Sequence, residues 1–426
     1  MKHLIYFLYF LMLLGMLSSC RPDNPYIFRE RWVPDYELPA LLEDTAGNPI
    51  SSVVEWKAHR PALRKIFQEE IYGAVPFDGQ LDSLVVVKSE TGTALDGIAT
   101  RSQYRLRMWR QGLSQDMDLL LYVPVGQLSV PVFVGLNFSG NQTVQPDTNI
   151  WLTQSWVRND SSLGIFENVA TETSRGSLQH RWPVEEIIRR GYGLATVYCS
   201  DIVPDYPSGF DKGVYPLFYE SGQTHPDSTQ WGAIAAWSWG LRRVLDFFGE
   251  IPAVDESRVA VLGHSRLGKV ALWTGAQDER FALVFSNNSG CAGATLFRRR
   301  FGETVEAIND IAPHWFCDRF PLYNDREDSL PIDQHQLLAL LAPRPLYVAS
   351  AEEDLWTDPR GEYLGAYHAS EAYALYGLDG LEKKRSPKVN EPRAEGIVGY
   401  HLRSGKHELT SYDWEQFMDF ADRRMR

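Results

Sequence analysis

The sequence predicts a three-layer α/β fold, a mostly parallel sheet covered by helices on both faces and begun by antiparallel strands. Three observations carry this. Residues 130–138, 193–198, 259–262, 281–285 and 345–350 are short, nearly unbroken apolar runs, the pattern of strands buried on both faces. Segments of helical spacing alternate with most of these runs, as parallel strands joined by crossovers require. Ahead of them, residues 84–88, 104–109 and 119–123 read as strands with no helix between, an antiparallel start to the sheet.

Taken in order, residues 21–39 are polar and proline-rich, which predicts a tether, and residues 40–426 a single catalytic-size domain with loop insertions. Residues 56–72 have helical spacing and stop at Gly73. The strand at 130–138 runs into Ser139-Gly140-Asn141, and residues 149–178 lack periodicity and read as an insertion. A short helix at 184–190 precedes the strand at 193–198, which opens into the loop 200–205. Residues 231–248 form a strong helical pattern with Ser228 and Thr229 as candidate caps. A polar segment covers 286–320, helical spacing returns at 362–376, and a last helix is expected over 412–425. Ligands of such sheets bind beyond the carboxyl ends of the strands. The loops beginning at Ser139, Ser200, Gly263, Ser286, Glu352 and Arg403 all fall at that edge.

The N-terminus predicts export. Lys2 and His3 precede an apolar run over 4–14, too short to span a bilayer comfortably, and the stretch ends Leu17-Ser18-Ser19-Cys20. This looks like a bacterial lipoprotein signal over residues 1–20, with Cys20 becoming the lipidated N-terminus in the periplasm, the outer membrane or at the cell surface. A formal charge of −13 argues against nucleic acid as partner. Thirteen Trp and twenty Tyr fit either a large core or sugar-stacking surfaces. Cys199, Cys291 and Cys317 allow one disulfide in an oxidising compartment, do not resemble a zinc site, and no metal or cofactor is expected.

The chemistry centres on Gly263-His264-Ser265-Arg266-Leu267-Gly268-Lys269. Ser265 sits where a strand pattern turns into a helix pattern, the place where an α/β-hydrolase carries its nucleophile, although the second glycine falls one position late. A serine hydroxyl needs a histidine base and that base an orienting carboxylate, in the chain order Ser, acid, His. His407 lies in the loop before the final helix, whereas His314 and His335 precede the acid, His368 falls in a helix and His401 in a strand. Asp354 follows the strand at 345–350, with Glu352, Glu353 and Asp358 as competitors in the same loop. The backbone N–H of Arg266 and a donor near Ser139 are the expected oxyanion partners. Arg266 and Lys269 place two cations around Ser265 at a helix N-terminus, where the dipole disfavours them, which points to function.

This motif resembles the Gly-Cys-Ser-Arg-x-Gly-Lys of glucuronoyl esterases, carbohydrate esterase family 15. Gly135-Leu136-Asn137-Phe138-Ser139-Gly140-Asn141, Trp231-Gly232-Ala233-Ile234, Ala236-Trp237-Ser238-Trp239-Gly240, Ser286-Asn287-Asn288-Ser289-Gly290 and Gly405-Lys406-His407 are similar to bacterial members as well. The resemblance implies an α/β-hydrolase that cleaves, without metal or cofactor, the ester between (4-O-methyl-)glucuronic acid side chains of glucuronoxylan and lignin alcohols; a monomer is expected. It implies Ser265 as nucleophile, His407 as base, Arg266 as side-chain oxyanion stabiliser, and Lys269, Glu303 and Trp356 as contacts of the glucuronoyl sugar. Two departures stand out. His264 replaces the family's cysteine, which removes that position's disulfide, and Asn288-Ser289-Gly290 replaces the Glu-Ser-Gly that carries the acid in many members. Asparagine orients an imidazole but does not stabilise its cation, so the resemblance then assigns the acid to Asp354. An acetyl esterase of plant polysaccharide and a non-catalytic glycan-binding lipoprotein are the rival readings.

Overall fold

The computed structural model describes residues 26–382 and 385–425. The expected signal over residues 1–20 and the lipidation site Cys20 lie outside the described residues. Nine strands form one sheet: β1 (Ser83–Ala94), β2 (Ala99–Arg110), β3 (Leu113–Pro124), β4 (Val130–Asn137), β5 (Gly193–Tyr198), β6 (Val254–His264), β7 (Leu283–Asn287), β8 (Leu346–Ala351) and β9 (Val398–Arg403). Their order is β1-β2-β3-β5-β4-β6-β7-β8-β9. The pairings β1·β2, β2·β3 and β3·β5 are antiparallel and every later pairing is parallel. The apolar runs are explained directly, because every residue of β4, β5, β7 and β8 is buried.

The helices are α1 (Val53–Phe67), α2 (Val184–Arg189), α3 (Cys199–Ile202), α4 (Ala233–Phe248), α5 (Arg266–Gln277), α6 (Val305–Ile311), α7 (Gln334–Ala339), α8 (Pro359–Ala374) and α9 (Ser411–Asp422). Two cores flank the sheet. The larger takes α1, α4, α5 and α8, with Trp56, Trp237 and Trp273 fully buried. The smaller takes α2 and α9 and packs Trp182, Trp414 and Phe417 against Phe133 and Phe285. Most of the tryptophan content therefore serves the interior.

Three expectations are corrected, and one helix is added. Helix α4 is capped by neither Ser228 nor Thr229: its N-cap is Gly232, and the first amides, Ala233 N and Ile234 N, donate to the carbonyls of His314 and Trp315 at 2.9 and 3.1 Å. A chain segment far along the sequence thus replaces the local side-chain cap. Residues 26–39 do not hang free as a tether. Gly302 N donates to Ile27 O, Glu30 pairs with Arg299 at 2.6 Å, and His335 Nε2 lies 3.0 Å from Pro39 O, so this stretch belongs to the body. Helix α7 lies in a stretch for which no element is expected; Asp333 and Gln336 form its capping box. Finally, Cys199, Cys291 and Cys317 are all free and buried, and burial pushes the Cys199 thiol up to about 12.

Candidate active site

Ser265 occupies the junction of β6 and α5 with φ 57° and ψ −133°, a conformation that costs a non-glycine residue energy. It is held there by Ser265 N donating to Asn287 O at 2.9 Å and Gly268 N donating to Ser265 O at 2.8 Å. Both glycines of the motif are close-approach positions. A Cβ on Gly263 would lie 1.9 Å from the Leu267 carbonyl oxygen, and one on Gly268 would lie 2.9 Å from the Ser289 Cβ. The late glycine therefore lets the first turn of α5 pack against the loop after β7. Ser265 is left half-buried at the carboxyl edge, at the start of α5, whose first amides have no acceptor within the helix.

Asp354 and His407 meet at the same edge. Oδ2 of Asp354 accepts from His407 Nδ1 at 2.5 Å, from Asn288 Nδ2 at 2.7 Å and from Thr357 Oγ1 at 2.8 Å. Burial pushes this carboxyl up, but the hydrogen bond and charge of His407, with the Asn288 and Thr357 bonds, hold it below the ordinary carboxylate range. Of the four acids in its loop, Asp354 is the one on the histidine; Glu352 and Glu353 are exposed, and Asp358 caps α8 and pairs with Arg299. The His407 loop is shaped by Arg403, whose Nη2 donates to the carbonyls of Lys406 and Glu408 at 3.0 and 2.5 Å while its Nε pairs with Asp413 at 2.9 Å.

His264 brings its ring to 4.6 Å, centre to centre, from that of His407. Its Nδ1 lies 2.6 Å from Asn287 Oδ1, and Asn287 Nδ2 donates to Asp413 Oδ1 at 3.0 Å. With the amide nitrogen spent on a carboxylate, Asn287 Oδ1 must accept, so His264 Nδ1 carries the hydrogen. Burial, then the neighbouring charges of His407 and Arg181, drive His264 well below the usual histidine range and keep it neutral.

The two cations around Ser265 each have a carboxylate. Arg266 Nε lies 2.7 Å from Asp205 Oδ2, and its guanidinium sits 4.5 Å from the Phe138 ring centre and 5.7 Å from that of Trp315. Asp205 Oδ1 also accepts from Trp315 Nε1 at 2.7 Å and contacts His314 Nε2 at 2.9 Å. Burial raises the Asp205 carboxyl, but the Arg266 charge and the bonds from His314 and Trp315 bring it down to about 2. Lys269 is buried, its Nζ donating to Ser289 O at 2.6 Å and pairing with Glu303 Oε2 at 3.0 Å. Glu303 Oε1 accepts from Trp356 Nε1 at 3.1 Å, so Lys269, Glu303 and Trp356 form one linked group. Tyr26 meets Trp356 edge-on at 4.9 Å. The positive charge expected around the serine is thus largely compensated, and it acts through direction rather than as a broad field.

Several members of this arrangement have no role in the sequence reading. Asp205 carries a positional signal, an acid in the loop after a parallel strand. Asn287, Asp413 and Arg403 do not, because the Asn287–Asp413 bond joins residues 126 apart in the chain.

A serine in a strained strand-to-helix turn, with a histidine–aspartate pair on the loops after later parallel strands, defines an α/β-hydrolase. Residues 212–377 match the family model described as glucuronyl esterase, fungi. The chain is 47% identical over 402 residues to carbohydrate esterase MZ0003 from an unknown prokaryotic organism, covering 93% of this chain and 92% of that protein. It is 34% identical over 356 residues to the 4-O-methyl-glucuronoyl methylesterase of Schizophyllum commune, covering 81% of this chain and 74% of that one. A solved glucuronoyl esterase from Solibacter usitatus superposes with TM-score 0.86 at 43% identity, over 93% of this chain and all of that one. This chain belongs to carbohydrate esterase family 15, the glucuronoyl esterases.

Proposed function

We propose that the protein is a serine esterase that hydrolyses esters of (4-O-methyl-)glucuronic acid, those joining glucuronoxylan side chains to lignin alcohols. The observation that carries the reading is the 2.5 Å contact of His407 Nδ1 with Asp354 Oδ2, with the His407 ring packed at 4.6 Å against that of His264, the neighbour in sequence of the strained Ser265. The activity of the Schizophyllum commune relative supports the uronate ester. His407 takes the proton of Ser265 as its oxygen attacks the ester carbonyl, and Asp354 holds the ring and stabilises the imidazolium that forms. The oxyanion is held by the Arg266 guanidinium, aimed by Asp205 and Phe138, by the Arg266 N–H at the start of α5, and by a donor of the Ser139 loop. The alcohol leaves with the proton from His407, and water attacks the acyl-enzyme by the same route in reverse. Lys269, Glu303 and Trp356 receive the sugar ring, the first two held in register by their ion pair. His264 adds no charge beside the base.

The test is turnover of benzyl glucuronate by the purified protein, with acetylated xylan as competitor substrate. Turnover of benzyl glucuronate that disappears in Ser265→Ala is expected; equal activity in that variant, or faster release of acetate than of benzyl alcohol, would overturn the reading. The protein acts as an exported lipoprotein anchored through Cys20, supported by the Leu17-Ser18-Ser19-Cys20 ending. Incorporation of labelled palmitate that persists in Cys20→Ser would rule the anchor out.

A further inference from the structure

Between the β2–β3 hairpin and the loop after β5 lies a second cavity, of about 300 Å³, lined by Arg105, Arg107, Asp116, Asp118, Gln154 and Asp201. It opens on the catalytic edge. Leu119 of β3 pairs antiparallel with Val197 of β5, so the start of β3 projects past the carboxyl end of β5. Strands β3 and β6 are three neighbours apart, about 14 Å across the sheet. Along the chain, Asp201 in the cavity and Asp205 on Arg266 are four residues apart, a reach of at most about 14 Å.

The lining is built rather than incidental. Arg105 grips Asp118 through Nε and Nη2, both at 2.8 Å, and Arg107 grips Asp116 in the same way, both at 2.7 Å. Each fork fixes a planar guanidinium and keeps Nη1 out of the pair. Asp201 is buried and set by Ser155 Oγ at 2.6 Å and Asp118 N at 3.1 Å. Trp151 stands at the margin, its ring 5.8 Å from the Arg105 guanidinium and its Nε1 donating to Glu90 at 3.0 Å. Two cations face two paired anions, and burial, then Asp118, lift Asp201 to about 7. A near-neutral lining selects neither an anion nor a cation. It offers fixed donors and acceptors side by side, which suits a neutral ligand rich in hydroxyl groups, and its volume is at the lower end for a small-ligand site.

We propose that this cavity is a glycan subsite, taking neutral sugar residues of the polysaccharide whose uronate ester lies at Ser265. The proposal rests on the esterase reading for its substrate class, and the geometry places both sites on one edge within the span of a short oligosaccharide. Neither Arg107 nor Gln154 belongs to the catalytic group; Gln154 is exposed, and Arg107 is half-buried with Asp116 as its partner. Arg107→Gln is expected to lower kcat/KM about tenfold, through KM, on a glucuronate ester carried by xylotriose while leaving benzyl glucuronate unchanged. Gln154→Ala gives the same pattern in weaker form and serves should the first variant misfold. Titration of xylotetraose into Ser265→Ala gives binding that Arg107→Gln abolishes. An equal loss on both esters, no loss on either, or xylotetraose binding that is absent or survives both changes would overturn the proposal. If no uronate ester is turned over at all, the esterase reading fails, and the xylotetraose titration still decides the cavity.

Discussion

Oδ2 of Asp354 receives three hydrogen bonds, and only one of them comes from the base. Asn288 stands where many relatives are expected to carry the acid, and here it spends its amide on the acid from the next loop. The departure from the family pattern and the placement of Asp354 are thus two halves of one exchange: a carboxylate at position 288 would face Asp354 at hydrogen-bond distance and repel it. Asp354→Asn is expected to lower kcat on benzyl glucuronate by roughly four orders of magnitude, since an amide neither fixes the tautomer nor balances the imidazolium. Asn288→Ala removes one supporting donor and leaves those from Thr357 and His407, so its loss stays within about tenfold. Steady-state kinetics on both variants check this, and the opposite ranking would move the acid away from Asp354. At this scale the sequence was informative about residue types and chain order. It was silent on Asn287 and Asp413, and it marked Asp205 only by its place after a parallel strand, because nothing local shows which carboxylate a distant arginine or asparagine will meet.

The turn between β6 and α5 shows why spacing alone misleads. The second glycine looks displaced from a Gly-x-Ser-x-Gly pattern, yet it sits where α5 crosses the loop after β7, with the Ser289 Cβ 2.9 Å from where its own Cβ would be. That loop carries Asn288 to Asp354 and the Ser289 carbonyl to Lys269. Gly268→Ala is therefore expected to cost about 1–3 kcal/mol in urea unfolding and to reduce kcat together with stability, by shifting this loop. Unchanged stability with full activity would show that the contact relaxes freely. The strands were legible because burial on both faces leaves a continuous apolar record. The caps of α4 and the place of α7 were not, since the α4 amides are satisfied by carbonyls some eighty residues further along.

Across the molecule, Glu362 ties the active edge together. From α8 its Oε1 accepts from Ser289 N at 2.6 Å and Gly290 N at 3.1 Å, and its Oε2 meets Ser350 Oγ at 2.6 Å at the end of β8. Burial, with a contribution from Asp354, lifts this carboxyl to about 8. Below the ordinary glutamate value, about 4.3, both folded and unfolded chains hold the proton and burial carries no titration penalty. Between there and about 8 the unfolded chain ionises while the folded one does not, so stability falls as pH rises through that window and levels off above it. Glutamine mimics the protonated acid. Glu362→Gln should raise Tm over the parent by an amount that grows from pH 5 to pH 8; a constant difference would show that Glu362 is ionised in the folded protein.

By itself the sequence determined the layer architecture, the edge of the sheet where chemistry occurs, and a serine, acid and histidine in workable order. These follow from local apolar periodicity and from which residue types follow which strand. The tertiary structure decided how the charges are used. Arg266 is aimed by Asp205, Lys269 is spent on Glu303, His264 is held neutral beside His407, and residues 26–39 are drawn into the body. Each of these depends on pairings between distant segments and on the dielectric that burial creates. Neither quantity exists until the chain has folded, which is why a motif that reads as two free cations around a serine becomes a pair of compensated, directed ones.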